Sequence, residues 1–294
     1  MFDFIHRLNR LSNAANTLRQ HPAQSASSRL TLLTKLKLKP LLVVGLSAAT
    51  LSACTSSPMG RSQVLLMSDQ EIAQMGVQSF AEIKKSEKIS TNSRTNKYVQ
   101  CVANAITKYV PPQPGFTDWE VVVFDSDSVN AFALPGGKIG VYTGLLNVAK
   151  NQDQLATVIG HEIAHVLANH SNEQVSRSQM ASAGMGISNI FLSGSAYQGA
   201  AMEAIGMGVQ YGILLPFGRA QESEADLLGL ELMSKAGFDP NQSVDLWQNM
   251  AKASTGSPPE LLSTHPSHST RIQDLEAYIQ QLPKSTTPHP SCKA

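Results

Sequence analysis

The sequence predicts an α+β fold that is mainly helical, with a small sheet or hairpin and one long apolar helix. Apolar residues recur at helical spacing in several segments after residue 68. The β-rich runs 119–124, 130–134 and 138–142 lie close together, and Pro-Gly-Gly separates the last two. The composition, 42% hydrophobic and 15% charged, is that of an ordinary globular protein. A chain of 294 residues holds one large domain or two modest ones.

Residues 1–53 are predicted to be a secretory signal with an N-terminal extension. Three lysines precede an apolar run, 41–53, that is too short to span about 30 Å of hydrocarbon as a helix. Cys54 follows Leu-Ser-Ala, a sequence that resembles a bacterial lipobox, so we expect it to become acylated. A plain signal peptide and a mistaken start codon are the alternatives. Lipidation would make residues 54–67 a tether. Thr55 rather than aspartate after the cysteine suggests, by resemblance to other lipoproteins, that the protein lies at the outer membrane and faces the periplasm.

The first predicted helices follow this tether. Ser68 and Glu71 form a capping-box pattern that opens a helix to about Lys85. A second helix runs through 98–109 and ends before a proline cluster. It contains Cys101, which either pairs with Cys292 in an oxidising compartment or is a small buried core residue. The rest of the chain is mildly acidic, which gives no reason to expect a nucleic-acid partner.

The predicted long helix contains the motif His161-Glu162-Ile163-Ala164-His165. Four residues along a helix correspond to about 400° of rotation and roughly 6 Å of rise, so both imidazoles share one face. They are therefore spaced to bind one metal ion, and Glu162 is placed to take a proton from a water activated by that ion. The alternative, two surface histidines, is disfavoured because apolar residues flank the motif on both sides.

A third metal ligand is expected from a later helix. The metzincin pattern would need glycine at position 168 and histidine at position 171, but the chain has Ala168 and Ser171. Glu222 and Asp226 are four residues apart and share a helix face, so Glu222 is predicted to bind the metal. Asp226 is then placed to accept the second N–H of a ligating histidine. Glu224 should point elsewhere.

These motifs together resemble the HtpX/LoiP/BepA group of zinc metallopeptidases, relatives of the CAAX prenyl proteases. The resemblance extends over about 60–282 and also includes 130–139 and Thr264-His265-Pro266. The layout, which has no tetratricopeptide tail, is most similar to LoiP-type lipoprotein members. The resemblance implies a zincin fold of the gluzincin type over 68–283 and one zinc ion per chain. It also implies that His161, His165 and Glu222 are the zinc ligands and that the hairpin lies beside the motif helix.

By the same resemblance Glu162 is the catalytic base, and Asp226 matches a position sometimes assigned as a catalytic proton donor. Geometry favours an orienting role for Asp226. The resemblance suggests that a substrate backbone pairs with the hairpin edge at Asn130, Ala131, Phe132 and Ala133. The alternative is a purely structural hairpin. His265 is a fourth zinc ligand, an oxyanion or gating residue, or a loop histidine without either role.

Three further expectations concern the second half of the chain. Residues 178–218 contain a single charged residue, Glu203, and are interpreted as a pair of Ala/Gly-rich core helices. A mobile flap over the cleft or a membrane-contacting surface is the alternative. His170 and His268 are expected to be structural or exposed. Residues 284–294 are expected to form a disordered tail.

The sequence thus predicts a membrane-anchored periplasmic zinc metalloendopeptidase. Its partners would be polypeptide substrates, by resemblance unfolded or misassembled envelope proteins, and the membrane at Cys54. One alternative is an outer-membrane assembly factor or chaperone whose zinc site is structural or gated. Another is a noncatalytic lipoprotein in which the motif is coincidental.

Overall fold

The computed structural model describes residues 54–210, 214–253 and 268–293. The predicted signal segment 1–53, the side chain of Cys54, and Thr264-His265-Pro266 lie outside the described part, as does the side chain of His268.

Helices dominate the described residues, and the predicted α+β class is confirmed. The helices are α1 (Asp69–Ser86), α2 (Ser93–Thr107), α3 (Gln152–Leu167), α4 (His170–Leu192), α5 (Gln198–Val209), α6 (Leu215–Lys235), α7 (Gln242–Ala253) and α8 (His268–Ile279). The strands are β1 (Cys54–Ser56), β2 (Ser62–Val64), β3 (Glu120–Phe124), β4 (Ala131–Leu134) and β5 (Lys138–Tyr142). The predicted capping box at Ser68 and Glu71 is present at the start of α1.

The three longer strands form one sheet in the order β3-β5-β4. Strand β4 pairs antiparallel with β5 across the predicted Pro-Gly-Gly turn, whereas β3 pairs parallel with β5. The turn needs glycine because Gly136 and Gly137 have φ angles of 86° and 70°. Strand β4 begins at Ala131, so Asn130 precedes the strand. The edge strand β4 packs on α3, as the predicted hairpin beside the motif helix requires.

Helix α3 lies at the centre of the core. Asn151 caps it by accepting hydrogen bonds from the backbone of Asp153 and Gln154. Its apolar residues pack among α2, α6, α7 and β4, and Leu155, Ile159 and Ile163 are fully buried. Burying each of these side chains stabilises the fold by roughly 1.5–3 kcal/mol.

A pair of glycines brings α3 and α6 into backbone contact. A Cβ atom on Gly229 would lie 2.7 Å from the backbone nitrogen of His161. A Cβ atom on Gly160 would lie 2.8 Å from the carbonyl oxygen of Gly229. The obstructing atoms are backbone atoms, so side chains cannot move aside to make room. The absence of side chains at both positions sets the distance between the two helices that carry the predicted ligands.

The predicted tether 54–67 is instead docked on the domain, which corrects that expectation. Strands β1 and β2 form an antiparallel hairpin, and Ser57 and Gln63 within it are buried. Arg61 forms ion pairs with carboxylates on α4 and α6. The polar composition that suggested a solvated tether reflects side chains that meet buried polar groups of the domain.

The predicted disordered tail is corrected in the same way for residues 284–293. Cys101 and Cys292 form a disulfide, which decides between the two alternatives for Cys101. The side chain of His289 lies 2.8 Å from Oδ1 of Asp153. The side-chain amide of Gln152 donates to the carbonyl of Pro290 at 2.6 Å. The tail lacks helices and strands, but side-chain contacts and a covalent cross-link hold it against the domain.

The segment 178–209 does not form the pair of core helices that was expected. Only the first two turns of α4 are buried, and α5 has no buried residue. The two helices pack against each other and leave large apolar side chains exposed, with 73% exposure at Ile190, 85% at Phe191 and 78% at Tyr197. Low charge alone therefore misidentified a surface hairpin as core. Among the described residues, no helix combines the length and the apolarity that a membrane span needs.

Candidate metal centre

The site is built on the buried face of α3. His161 and His165 are both buried, and their Nε2 atoms lie 3.0 Å apart, as the helical spacing of the motif predicts. Helix α6 brings Glu222 to the same point. One carboxylate oxygen of Glu222 lies 3.5 Å from Nε2 of His161, and the other lies 3.5 Å from Nε2 of His165. The sequence-predicted triad is therefore assembled in space.

The geometry of this triad fits a zinc ion. Atoms bound to one zinc ion at about 2.0–2.1 Å with tetrahedral angles are roughly 3.3–3.5 Å from each other. Ligand atoms of His161, His165 and Glu222 all lie within 4.8 Å of one another. Two imidazole nitrogens and one carboxylate oxygen are a donor set that zinc accepts in catalytic sites, where the fourth position stays open. The residues present therefore suit the metal that the sequence predicted.

Asp226 lies one helical turn beyond Glu222 and contacts the outer side of a predicted ligand. Its Oδ1 atom is 2.9 Å from Nδ1 of His161. A proton on Nδ1 donated to this carboxylate leaves the lone pair of Nε2 directed at the triad. The structure thus places Asp226 where the orienting role requires it.

Glu162 follows His161 on α3 and is half-buried. Its Oε2 atom is buried and has no hydrogen-bond partner among the described residues. Burial raises the pKa of Glu162, and a hydrogen bond from the backbone N–H of Ala133 opposes that rise. This hydrogen bond also connects the carboxylate to the predicted substrate strand β4. An unpartnered carboxylate oxygen at this position is suited to accept a proton from a molecule that enters the site.

Arg271 of α8 is a site residue that the sequence reasoning did not identify. Its Nη2 atom lies 2.6 Å from Oδ1 of Asp226 and 3.1 Å from Nδ1 of His161. The guanidinium stacks 3.5 Å over the ring of Trp247. A usable signal existed, since Arg271 stands four residues before Leu275 on the apolar stripe of α8. An arginine on a buried stripe indicates a buried anionic partner.

These charges act together on the first histidine. Burial and the Arg271 cation favour the neutral ring of His161, but hydrogen bonds to Asp226 and Glu222 outweigh them and raise its pKa to about 9. Burial instead lowers the pKa of His165 well below its ordinary value. The two rings of the motif therefore have different electrostatic surroundings in the protein without metal.

A second polar cluster lies behind His165. Nδ1 of His165 is 2.8 Å from Nδ1 of His170, which is completely buried. Nε2 of His170 lies 3.1 Å from Oε2 of Glu224. Glu224 therefore points away from the triad, as expected, and meets a histidine rather than solvent. His170 is structural in the sense expected, but its direct contact with a predicted ligand was missed.

The predicted substrate strand lies close to the triad, although its residues are buried. In the pairing of β4 with β5, Phe132 opposes Gly140 and Leu134 opposes Lys138. Backbone groups alternate in direction along a strand, and the Ala133 N–H faces Glu162 rather than β5. Ala131 shares the direction of Ala133, so both present backbone groups along the outer edge of β4.

Comparisons with known proteins agree on one family. The sequence model described as Peptidase family M48 matches residues 93–279. The chain is 37% identical over 180 residues to the mitochondrial metalloendopeptidase OMA1 of Schizosaccharomyces pombe, covering 60% of this chain and 52% of that protein. It is 30% identical over 236 residues to OMA1 of Homo sapiens, covering 76% of this chain and 45% of the human protein.

A bacterial relative is also similar. The chain is 26% identical over 238 residues to the beta-barrel assembly-enhancing protease of Escherichia coli, covering 79% of this chain and 48% of that protein. The chain thus spans about half the length of the curated relatives it matches.

Proposed function

Because the chain belongs to peptidase family M48, we propose that it is a zinc metalloendopeptidase. The observation that carries this proposal is the convergence of His161, His165 and Glu222 on one point, next to the unpartnered oxygen of Glu162. A purely structural zinc site would normally be closed by four protein ligands. The described residues supply three ligand groups and a free carboxylate oxygen, the combination that hydrolysis needs.

In this proposal His161, His165 and Glu222 hold one zinc ion per chain. A zinc ion bound there supplies Lewis acidity, which polarises a carbonyl and lowers the pKa of water to about 7. Asp226 fixes the tautomer of His161 through the 2.9 Å contact at Nδ1. Arg271 in turn holds Asp226 in place through their buried ion pair.

Glu162 moves the protons of the reaction. It accepts one proton from the attacking water as the water oxygen bonds to the scissile carbonyl carbon. It then delivers that proton to the amide nitrogen as the carbon–nitrogen bond breaks, so the carboxylate is restored. The Oε2 atom of Glu162, which has no hydrogen-bond partner among the described residues, is available for this exchange.

The substrate is proposed to be an extended polypeptide that pairs with the outer edge of β4. The outward-facing backbone groups of Ala131 and Ala133 lie along that edge, and the Ala133 N–H is directed at Glu162. A chain bound there passes directly beside the proton-transfer group. Main-chain pairing recognises unfolded polypeptide with little dependence on side chains. Unfolded or misassembled envelope proteins are therefore the proposed substrates, and the similarity to the beta-barrel assembly-enhancing protease of Escherichia coli supports this proposal.

The proposed location is the periplasmic face of the outer membrane, with a lipid anchor at Cys54. The lipobox-like sequence before Cys54 supports it. The Cys101–Cys292 disulfide also fits an oxidising compartment. Mass spectrometry of the mature N-terminus tests the anchor, and an unmodified Cys54 thiol in membrane fractions would contradict it.

The catalytic proposal is tested with two variants of the site. Glu162→Gln keeps the ligands but cannot accept a proton, so it should retain one zinc per chain and lose at least about 10²-fold in cleavage of unfolded casein. Glu222→Gln should lower the bound zinc. Glu203→Gln removes an exposed carboxylate on α5 and serves as the control, with activity and zinc unchanged. A Glu162→Gln protein that cleaves at the full rate would remove Glu162 from this role.

A further inference from the structure

We propose that His170, Glu224 and Arg61 form a hydrogen-bonded chain that positions the metal ligand His165 and connects it to the β1–β2 hairpin. The inference rests on the proposed zinc site. It assigns a role toward that site to three residues that do not contact the metal position. The hairpin is thereby linked to the metal centre through hydrogen bonds.

The hydrogen-bond inventory fixes the protons along this chain. Nε2 of His165 faces the triad and must offer a lone pair to bind a metal, so its proton is on Nδ1. That proton is donated to Nδ1 of His170 at 2.8 Å. His170 therefore carries its own proton on Nε2, which it donates to Glu224 at 3.1 Å. Each ring makes one donation and the sequence of donors has a single consistent direction.

Arg61 closes the chain on the hairpin side. Its Nε donates to Oε2 of Glu224 at 2.9 Å, and its two terminal nitrogens donate to the carboxylate of Glu173 at 2.9 and 2.7 Å. The backbone N–H of Met59 donates to the other oxygen of Glu224 at 3.3 Å. The bidentate contact with Glu173 fixes the plane of the guanidinium, and with it the direction of the single Nε–H that Arg61 donates to Glu224.

The burial of this charged cluster indicates a role other than stabilising the fold. His170 and Glu173 are fully buried, and Glu224 is nearly so. Buried ionic groups pay a large desolvation cost, and apolar residues of similar volume often give equal or greater stability. One end of this cluster is a predicted metal ligand. Outer hydrogen-bond partners of ligating histidines raise metal affinity by fixing ring orientation, so holding His165 is the role that the contacts support.

The arrangement makes zinc affinity depend on a hairpin whose first strand begins at Cys54. Besides His170, the described structure shows one basic residue in contact with Glu224, namely Arg61, and it comes from outside the helical body. Displacing the hairpin leaves Glu224 without this cation and releases the far end of the chain. Correct docking of the N-terminal segment is therefore part of assembling the metal centre.

The test measures the zinc dissociation constant by chelator competition on the full mature chain. His170→Phe keeps a ring of similar size but removes both nitrogen atoms, and should weaken zinc binding by about 10–100-fold. Arg61→Met removes the hairpin's contact with Glu224 and should also weaken zinc binding. This second variant keeps the test decisive if the His170 variant does not fold. His170→Gln retains one acceptor and one donor, and should recover part of the lost affinity.

Ser176→Ala is the matched control. Ser176 is buried on α4 and accepts a hydrogen bond from the backbone of Leu66, which follows the β1–β2 hairpin, so its loss removes a contact outside the hairpin and leaves the Arg61 contacts in place. It should lower the melting temperature of the zinc-free protein and leave zinc affinity within twofold. A His170→Phe protein with wild-type affinity overturns the inference, as does an equal loss in Ser176→Ala. Wild-type protein that binds zinc but cleaves nothing refutes the proposed function alone, because this readout does not depend on cleavage.

Discussion

Arg271 and Asp226 form a buried ion pair whose closest atoms, Nε and Oδ2, lie 2.5 Å apart at the edge of the histidine pair. Asp226 is thereby held between a cation from α8 and the ring of His161 from α3. The Asp226 carboxylate thus contacts both Arg271 and His161. This geometry favours an orienting role for Asp226 over the alternative of a catalytic proton donor.

Asp226→Asn separates these two roles. If Asp226 orients His161, the variant should bind zinc about 10–100-fold more weakly. It should also lose about 1.5–3 kcal/mol of unfolding free energy, because the buried Arg271 cation loses its nearest anionic partner and, among the described residues, keeps only Glu222 at 3.6 Å. Wild type and variant are compared by zinc titration, by denaturant unfolding and by kcat at saturating zinc. Unchanged zinc affinity with a large fall in kcat would instead favour proton donation.

Gly229→Ala should force α3 and α6 apart. The new methyl group would meet the backbone of His161 at 2.7 Å, so the helices must separate or the backbone must distort. We expect a loss of about 1–3 kcal/mol in stability and weaker zinc binding, because Glu222 moves with α6. Gly208→Ala in α5 is the control, since nothing lies within 4 Å of its Cβ position. It should stabilise the helix by about 0.5–1 kcal/mol, and equal effects at both positions would contradict the packing explanation.

Acid should remove the contribution of Glu224 to stability. Burial disfavours its charge, but hydrogen bonds from His170, Ser57 and Arg61 dominate and lower its pKa from 4.5 to about 2. A lowered folded-state pKa gives stability that is fully present above pH 4.5 and is lost as the pH falls toward 2.

Glu224→Gln cannot titrate, so it isolates this effect. The difference in unfolding free energy between wild type and this variant should be constant from pH 7 to 5 and should shrink between pH 4.5 and 3. Denaturant titrations of the zinc-free proteins at each pH measure it. A difference that stays constant down to pH 3 would show that the folded-state pKa of Glu224 is not lowered.

Reduction of the Cys101–Cys292 disulfide should destabilise the protein without altering the metal site. The cross-link joins residues 191 positions apart, and closing long loops typically contributes about 2–5 kcal/mol. Reducing agent should lower the melting temperature and expose residues 284–293 to limited proteolysis. The Cys101→Ser variant should already be at the lower melting temperature and should not respond to the reducing agent.

Local sequence patterns predicted the parts of the fold that depend on short-range spacing. The capping box at Ser68, the Pro-Gly-Gly hairpin and the shared face of His161 and His165 each follow from residues within a few positions of one another. The placement of Glu222 followed from helical spacing combined with the need for a third ligand. These features need no knowledge of how distant segments pack.

Except for the contact of His170 with His165, the missed features depend on contacts between distant segments. Arg271 reaches Asp226 across 45 residues, and His170 reaches Glu224 across 54. Periodicity identifies a buried face but does not identify the residue that meets it. The same limit explains the tail and the exposed α4–α5 hairpin, because polarity suggested exposure for one and low charge suggested burial for the other. In both cases the neighbouring surface, and not the segment's own composition, determined the outcome.

The separation of the two cysteines also constrains biosynthesis. Cys292 follows every described element of the metal centre in the chain, including the glutamate of α6 and the arginine of α8. The cross-link therefore closes only after the ribosome has made all of these elements. A nascent chain stalled before that point would have to keep its histidines together by noncovalent contacts alone.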